Sequence, residues 1–203
     1  MDYREACKII LEQSGFEYQL GTSVLSEEKI RSSVYDYGKF YGTSIDDIGA
    51  GQIYTGIRFP IFNDDELIFD TVEGIALILS HECDISLENK RPFNNSALLC
   101  PVIPIQIFLH VVTDSMDEDR VRTLFADIGR DRIYRLIFIP PIEDSLPFGG
   151  VIYLNQITNT DVKAITMETV GLAGTLSSYG LRIIDNKITN HLLRPKASQL
   201  SNF

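Results

Sequence analysis

Cysteine is scarce in this chain, and its spacing is irregular. The three cysteines stand at positions 7, 83 and 100, an odd number without the spacing of a disulfide framework. This pattern excludes a small secreted scaffold held together by disulfides. The first residues, Met1 to Glu5, are polar and do not resemble a charged-then-apolar leader. We therefore expect a protein of the reducing cytoplasm.

Long apolar runs and well-known catalytic motifs are also missing. The longest apolar run, residues 136–142, contains Pro140 and Pro141 and is far shorter than the roughly 20 residues of a membrane helix. We expect no membrane segment. The sequence has no Gly-rich phosphate loop, no Gly-x-Ser-x-Gly elbow and no His-Glu-x-x-His pair. It therefore predicts no cofactor.

Basic residues are few relative to acidic ones. There are 18 lysines and arginines against 28 aspartates and glutamates, giving a net charge of −10 and a pI near 4.7. Nucleic-acid phosphates would repel such a chain as a whole. The exception is a basic patch near the C-terminus, formed by Arg182, Lys187, Arg194 and Lys196. Any nucleic-acid contact would have to use this patch.

The composition is that of a single globular domain. The 203 residues are 44% hydrophobic and 23% charged, enough for one core. We divide the chain into an N-terminal helical extension (1–48), a β-rich core with one inserted helix (49–170), and a C-terminal helix and tail (171–203). Helical spacing predicts one N-terminal helix around Ala6, Ile9 and Ile10, and a second over residues 26–41.

Short apolar runs predict the strands of the core. Residues 52–62 and 67–72 flank an acidic turn and indicate a hairpin. Residues 74–80 and 97–103 are continuous apolar runs, typical of strands covered on both faces. We expect the last two strands to be neighbours that organise the core.

The second half predicts further elements. Ser115 and Glu118 form a capping box for a helix, and Gly129 stands at the C′ position just after it. Residues 135–139 and 150–154 indicate strands, and a long helix is predicted from about Gly171 until Pro195 stops it. The predicted fold is α+β: a bent antiparallel sheet or SH3-like β-barrel, with N-terminal helices and a C-terminal helix.

One segment gathers most of the residues capable of chemistry. If the strand over residues 74–80 continues, His81 and Cys83 share a face, and Cys100 lies on the neighbouring strand. These three residues could bind zinc but lack an obvious fourth ligand. Cys83 as nucleophile and His81 as base would have parallel side chains on one strand face, which is poor geometry for a direct hydrogen bond between them. We expect all three to be core residues and predict no metal.

The end of this strand is nevertheless the best functional candidate. Cys83 and Asp84 stand where a buried strand gives way to a polar loop, an edge at which rigid scaffolds present chemistry. In the structural alternative, Cys83 is buried and Asp84 caps the following turn. The sequence leaves both interpretations open.

Residues 51–105 resemble the core of the MazF and PemK toxins. The resemblance is carried by a glycine-led strand, a hairpin, the run Ile-Ala-Leu-Ile-Leu-Ser and, after a polar loop, Ala-Leu-Leu-Cys-Pro-Val-Ile-Pro. It implies an SH3-like barrel that cuts single-stranded RNA in a toxin–antitoxin-like system. The toxins have an Arg-Pro pair where this chain has Glu73-Gly74. Arg58 or Arg91 would then replace the arginine, with Ser80 or Ser86 near the phosphate.

A broader resemblance covers more of the chain. Uncharacterised bacterial and prophage proteins share the Ser-polar-x-Cys-Asp strand end, here residues 80–84, a later strand ending in prolines and a C-terminal helix closing with Arg194-Pro195. Two hypotheses follow. The first is a non-catalytic binding or regulatory protein of a bacterial or phage-related system that acts through a protein partner. The alternative is a MazF-like or diverged endoribonuclease.

Overall fold

The computed structural model describes residues 1–14, 40–43, 47–63, 66–86, 88 and 95–193. Helices and strands alternate irregularly along the chain, as expected of an α+β fold. The helices are α1 (Tyr3–Gln13), α2 (Glu82–Ile85), α3 (Ile105–Thr113), α4 (Glu118–Gly129), α5 (Val162–Ile165) and α6 (Ser178–Leu192). The strands are β1 (Gln52–Asn63), β2 (Ile68–Ile78), β3 (Ser96–Pro104), β4 (Leu136–Ile139), β5 (Gly150–Tyr153), β6 (Thr158–Asp161) and β7 (Gly171–Thr175).

These strands form one antiparallel sheet in the order β4-β5-β3-β2-β1-β7, and β6 also pairs with β3. The predicted bent sheet is confirmed. The closed barrel is wrong for the described part of the chain, because β6 reaches β1 through a side chain and not through a backbone ladder. The hydroxyl of Thr160 in β6 donates to the carbonyl of Arg58 in β1, at 2.8 Å.

The pairing of β2 with β3 confirms that the two apolar runs lie on neighbouring strands. Residues 67–72 and 74–80, which were predicted as two strands, form the single strand β2, which ends at Ile78. Leu77 lies opposite Cys100, and Ile75 lies opposite Val102. Leu77 and Cys100 are both fully buried, in the larger of two hydrophobic cores. Since this ladder has apolar residues on both faces, the sheet is covered on both sides at this point.

Each face of the sheet contributes to its own core. The larger core contains Leu77 and packs against α1, α3, α4 and α6. The smaller core lies on the opposite face, where Ala76 and Ile78 meet Val162 and Ile165 of α5. The alternation of side chains along β2 explains why adjacent residues belong to different cores.

A bulge in β1 bends the hairpin. The register with β2 shifts between Tyr54 and Ile57, and Gly56 between them has a positive φ of 75°. Glycine adopts this conformation without the steric cost that other residues incur. The bulge places Tyr54 and Ile57 in the same core.

The predicted helix before Gly129 is confirmed, but its start is two residues later than the capping box indicated. Asp117 caps α4, its side chain accepting from the backbone N–H of Arg120 at 2.9 Å. Gly129 is the last helical residue, not the residue after the helix. A Cβ there would collide with the carbonyl of Ile10, so this glycine permits close packing against α1.

The N-terminal prediction is confirmed for α1, whose Ala6 and Ile10 are buried. The second predicted helix lies almost wholly outside the described residues. The long helix from Gly171 is wrong in its first part, since β7 pairs there with β1 and α6 begins only after its cap, Ser177. The spacing of Leu172 and Leu176 suited a helix, but pairing with the edge of β1 decided the structure.

Replacing Leu77 with aspartate should test the central ladder. Leu77 is 1% exposed, so Leu77→Asp would bury an unpaired charge and should lower the free energy of unfolding by about 4 kcal/mol or more. Ile107→Asp is the control, because Ile107 is 56% exposed in the first turn of α3 and its replacement should change stability by less than about 0.5 kcal/mol. Urea denaturation measures both, and equal stabilities would contradict the central role of the ladder.

Candidate functional site

Ser80, just after the end of β2, is hydrogen bonded to β3. The backbone N–H groups of Leu79 and Ser80 both donate to the carbonyl of Leu98, at 2.8 and 3.3 Å. The Ser80 hydroxyl accepts in turn from the N–H of Leu98, at 2.7 Å. The hydroxyl thus completes the hydrogen bonding at the end of the ladder.

The chain then turns into the one-turn helix α2. The N–H of Asp84 donates to the carbonyl of His81, at 2.9 Å, and that of Ser86 donates to Glu82, at 3.0 Å. Ile85 is fully buried and anchors the turn in the smaller core. The expected continuation of the strand is therefore wrong, and His81 and Cys83 do not share a strand face.

This turn exposes residues that we had expected in the core. His81, Cys83 and Asp84 are all exposed, so the prediction of a buried position is wrong for His81 and Cys83. It is confirmed for Cys100, which lies inside the β2–β3 ladder. Exposure of Cys83 matches the functional alternative for this spot better than the structural one.

The residue that lies with His81 and Cys83 is Glu82, and not Cys100 as the sequence suggested. The possible metal-binding atoms of His81, Glu82 and Cys83 all lie within 4.8 Å of one another. The Nδ1 atom of His81 is 3.3 Å from an Oε atom of Glu82. In the strand expected from the sequence, Glu82 would point to the face opposite His81 and Cys83, so it was not a candidate ligand.

Burial separates the three thiols into two chemical classes. Desolvation raises the pKa of Cys7 and that of Cys100 to about 12 each, so both stay protonated at neutral pH. Cys83 is the exposed thiol of the three. Only Cys83 is thus accessible for thiolate chemistry in the folded protein.

A thiol reagent should therefore modify one cysteine of the native protein. We expect rapid labelling of Cys83 and slow labelling of Cys7 and Cys100, because the reagent must reach a thiolate. Peptide mass spectrometry after short exposure at neutral pH would identify the site. In urea all three should react, and fast native labelling of Cys100 would contradict its placement in the ladder.

Arg58 and Ser80 are not brought together. Arg58 lies on β1 opposite Glu73, and its Nε atom is 3.3 Å from the Glu73 carboxylate. Ser80 follows Glu73 by seven residues, which at about 3.3 Å per strand residue is a separation on the order of 20 Å. Arg91 lies outside the described residues.

Lys187 does not belong to an exposed basic patch. Lys187 is only 7% exposed, because α6 turns it towards the sheet on the same face as Ile184. Its ammonium group donates to the carbonyl of Leu136, at 3.1 Å, and forms an ion pair with Asp131. Arg182 is exposed, whereas Arg194 and Lys196 lie outside the described residues.

Lys187 should contribute to stability, whereas Arg182 should not. Lys187→Ala leaves the buried carbonyl of Leu136 without its donor and should cost about 1–3 kcal/mol of unfolding free energy. Arg182→Ala, on the exposed side of the same helix, should change it by less than about 0.5 kcal/mol. Thermal and urea unfolding would check this contrast; similar losses in the two variants would refute it.

A second candidate surface lies at the far end of the β1–β2 hairpin. We call it the hairpin-tip surface; it consists of Phe62, Leu67, Ile68 and Phe69, which are 46%, 74%, 47% and 70% exposed. The rings of Phe62 and Phe69 face each other across the hairpin, with centroids 5.3 Å apart. The acidic residues of this turn drew attention to its charge, whereas the apolar residues beside them already indicated an exposed apolar surface.

A groove of about 300 Å³ adjoins this surface. It runs between the hairpin and the segment that joins β5 to β6, which includes a short 3-10 helix (Leu154–Gln156). Its walls combine apolar and amide side chains: Pro60, Ile61, Phe62, Phe69, Tyr153, Asn155, Gln156, Ile157 and Thr158. The amide of Asn155 donates to the Tyr153 hydroxyl, at 3.0 Å, so polar groups line one wall.

Comparison of the chain with family models, curated proteins and solved structures finds no match. The function must therefore be argued from the two surfaces themselves. None of the helices in the described ranges is both long and apolar enough to span a lipid bilayer.

Proposed function

We propose that this protein is a non-catalytic binding or regulatory protein that acts through a protein partner, which it contacts with the hairpin-tip surface. The observation that carries the proposal is the exposure of four large apolar side chains, two of them phenylalanines, at one end of the sheet. Phe62 and Phe69 form an apolar pair on one face of the hairpin, while Ile68 lies on the other face and Leu67 in the turn. Exposed apolar side chains gathered at one place are typical of protein interaction sites. Aromatic residues are also enriched in the energetic centres of interfaces.

The surface arises because the hairpin projects past the helical layer. Residues at every second position of β2 share one face of the sheet. Near the end of β2 that face is covered, since Ile75 and Leu77 pack in the larger core. Towards the tip it is uncovered, and Glu73 and Phe69 are exposed. The same face therefore changes from core to surface along a single strand.

Hydrogen bonds link the described residues on the two sides of the turn. The side-chain amide of Asn63 donates to the Asp70 carboxylate, at 2.8 Å, and its carbonyl oxygen accepts from the N–H of Glu66, at 3.3 Å. The ring contact between Phe62 and Phe69 adds a further cross-strand interaction. A preorganised surface loses less conformational entropy on binding.

Charge indicates the chemistry of the partner. Between positions 58 and 73 the sequence has one arginine and five carboxylates. A partner segment with apolar side chains, flanked by lysine or arginine, would complement this arrangement, and the groove beside Phe69 would accept one of its side chains. We also propose, as expected from the sequence, that the protein acts in a bacterial or phage-related system and in the reducing cytoplasm.

The endoribonuclease remains the alternative, supported by the strand order that resembles the MazF and PemK toxins. Arg58 lies opposite Glu73, the position at which the toxins have their arginine, but its guanidinium is paired with the Glu73 carboxylate. The alternative needs Arg58 to leave this pair or Arg91 to take the role. Incubating the pure protein with mixed single-stranded RNA, with and without Mg²⁺, is its direct test.

A pair of matched double variants would test the proposal. The tagged full chain should recover a specific protein from lysate of the source cells, and Phe62→Ser with Phe69→Ser should abolish recovery. The control is Ile107→Ser with Val111→Ser, which removes side chains of similar exposure, 56% and 60%, from α3. Calorimetry with the purified partner should then show at least about tenfold weaker binding for the hairpin variant alone.

Two results would contradict the proposal. In the first, the hairpin variant binds the recovered partner as tightly as the control does. In the second, no partner is recovered and the pure protein cleaves RNA. Circular dichroism of both double variants would establish that each retains the fold.

A further inference from the structure

We propose that His81, Glu82 and Cys83 form a zinc-binding site with one open coordination position. The inference is independent of the hairpin-tip surface, because it rests on three consecutive side chains at the opposite end of β2. Their possible ligand atoms lie within 4.8 Å of one another.

The donor set matches the chemistry of zinc. Imidazole nitrogen, thiolate sulfur and carboxylate oxygen are the three ligand types that Zn²⁺ takes from proteins. Calcium and magnesium prefer oxygen ligands alone, so a site containing a histidine and a cysteine disfavours them. Against calcium and magnesium, this mixed set therefore favours zinc and its spectroscopic substitute cobalt.

The geometry is close to that of a loaded site. Ligand atoms around a tetrahedral zinc ion lie about 3.5 Å apart, given bonds of 2.0–2.3 Å. Nδ1 of His81 and the Glu82 carboxylate are already 3.3 Å apart. The remaining separations, up to 4.8 Å, need a movement of roughly 1 Å, which rotation of exposed side chains can supply.

The backbone beneath the cluster is held from both sides. Before it, Ser80 is hydrogen bonded to Leu98 of β3. After it, the buried side chain of Ile85 anchors α2. Rigid support of this kind lowers the entropic cost of bringing three ligands to one ion.

Gly49 leaves room for the carboxylate. A Cβ at this position would lie 3.1 Å from an Oε atom of Glu82 and 3.2 Å from its Cβ. A Cβ at this position would require the Glu82 side chain to shift by a few tenths of an ångström. The loop before β1 thus accommodates the side chain that completes the donor set.

Three protein ligands leave a fourth position for water, as in catalytic and exchange-competent zinc sites. On binding, the Cys83 thiol loses its proton to solvent and becomes the thiolate ligand, while His81 binds as neutral imidazole. Cys7 and Cys100 are buried and do not compete for the ion.

Metal titration of the full chain tests the inference. After treatment with chelator and its removal, calorimetry should show one zinc ion per chain, and Co²⁺ should give the near-ultraviolet charge-transfer band of a cobalt–thiolate bond. Cys83→Ser should abolish that band, and His81→Ala and Glu82→Gln should each weaken zinc binding by at least about tenfold. His110→Ala is the matched control, since His110 is an exposed histidine near a carboxylate, 4.0 Å from Asp114, on α3.

Zinc should also slow the labelling of Cys83 in the wild type and in His110→Ala. The inference would be overturned if the wild type showed no saturable zinc binding. It would equally be overturned if Cys83→Ser or His81→Ala bound zinc as tightly as the wild type, or if His110→Ala lost binding to the same extent. Unchanged unfolding of the metal-free variants would exclude misfolding as the cause.

Discussion

The ladder between β2 and β3 is the interaction on which the rest of the structure depends. Leu77 and Cys100 occupy its centre, and the residues on either side of Leu77 face the opposite core. Because both faces are apolar, the ladder binds the helical layer on one side and α5 on the other. A charge in this ladder would disturb both cores together.

Both candidate surfaces take their position from β2. At its start, the strand runs past the helical layer and exposes Phe69 beside Phe62. At its end, Ser80 closes the ladder, and the chain turns at once into α2, whose single buried anchor is Ile85. This short turn, held by Ser80 before it and by Ile85 after it, presents His81, Glu82 and Cys83 to solvent.

The predictable parts of the fold were those set by local pattern. Continuous apolar runs gave β2 and β3, and helical spacing gave α1 and α4. The errors arose where distant contacts decided the structure: pairing with β1 made residues 171–175 a strand, and the turn after Ser80 exposed Cys83. Lys187 is a further example. Its charge predicted an exposed position, but it is buried because its partners Leu136 and Asp131 come from another part of the chain.

The two proposed sites are physically separate. Nine of the eleven residues of β2, Asp70 to Ile78, lie between them, which is about 30 Å at roughly 3.3 Å per residue. Over that distance, surface charges are screened by physiological salt. A metal at Cys83 therefore has no direct electrostatic effect on the hairpin tip. Coupling between the sites would have to pass through the packed side chains and paired strands of the sheet.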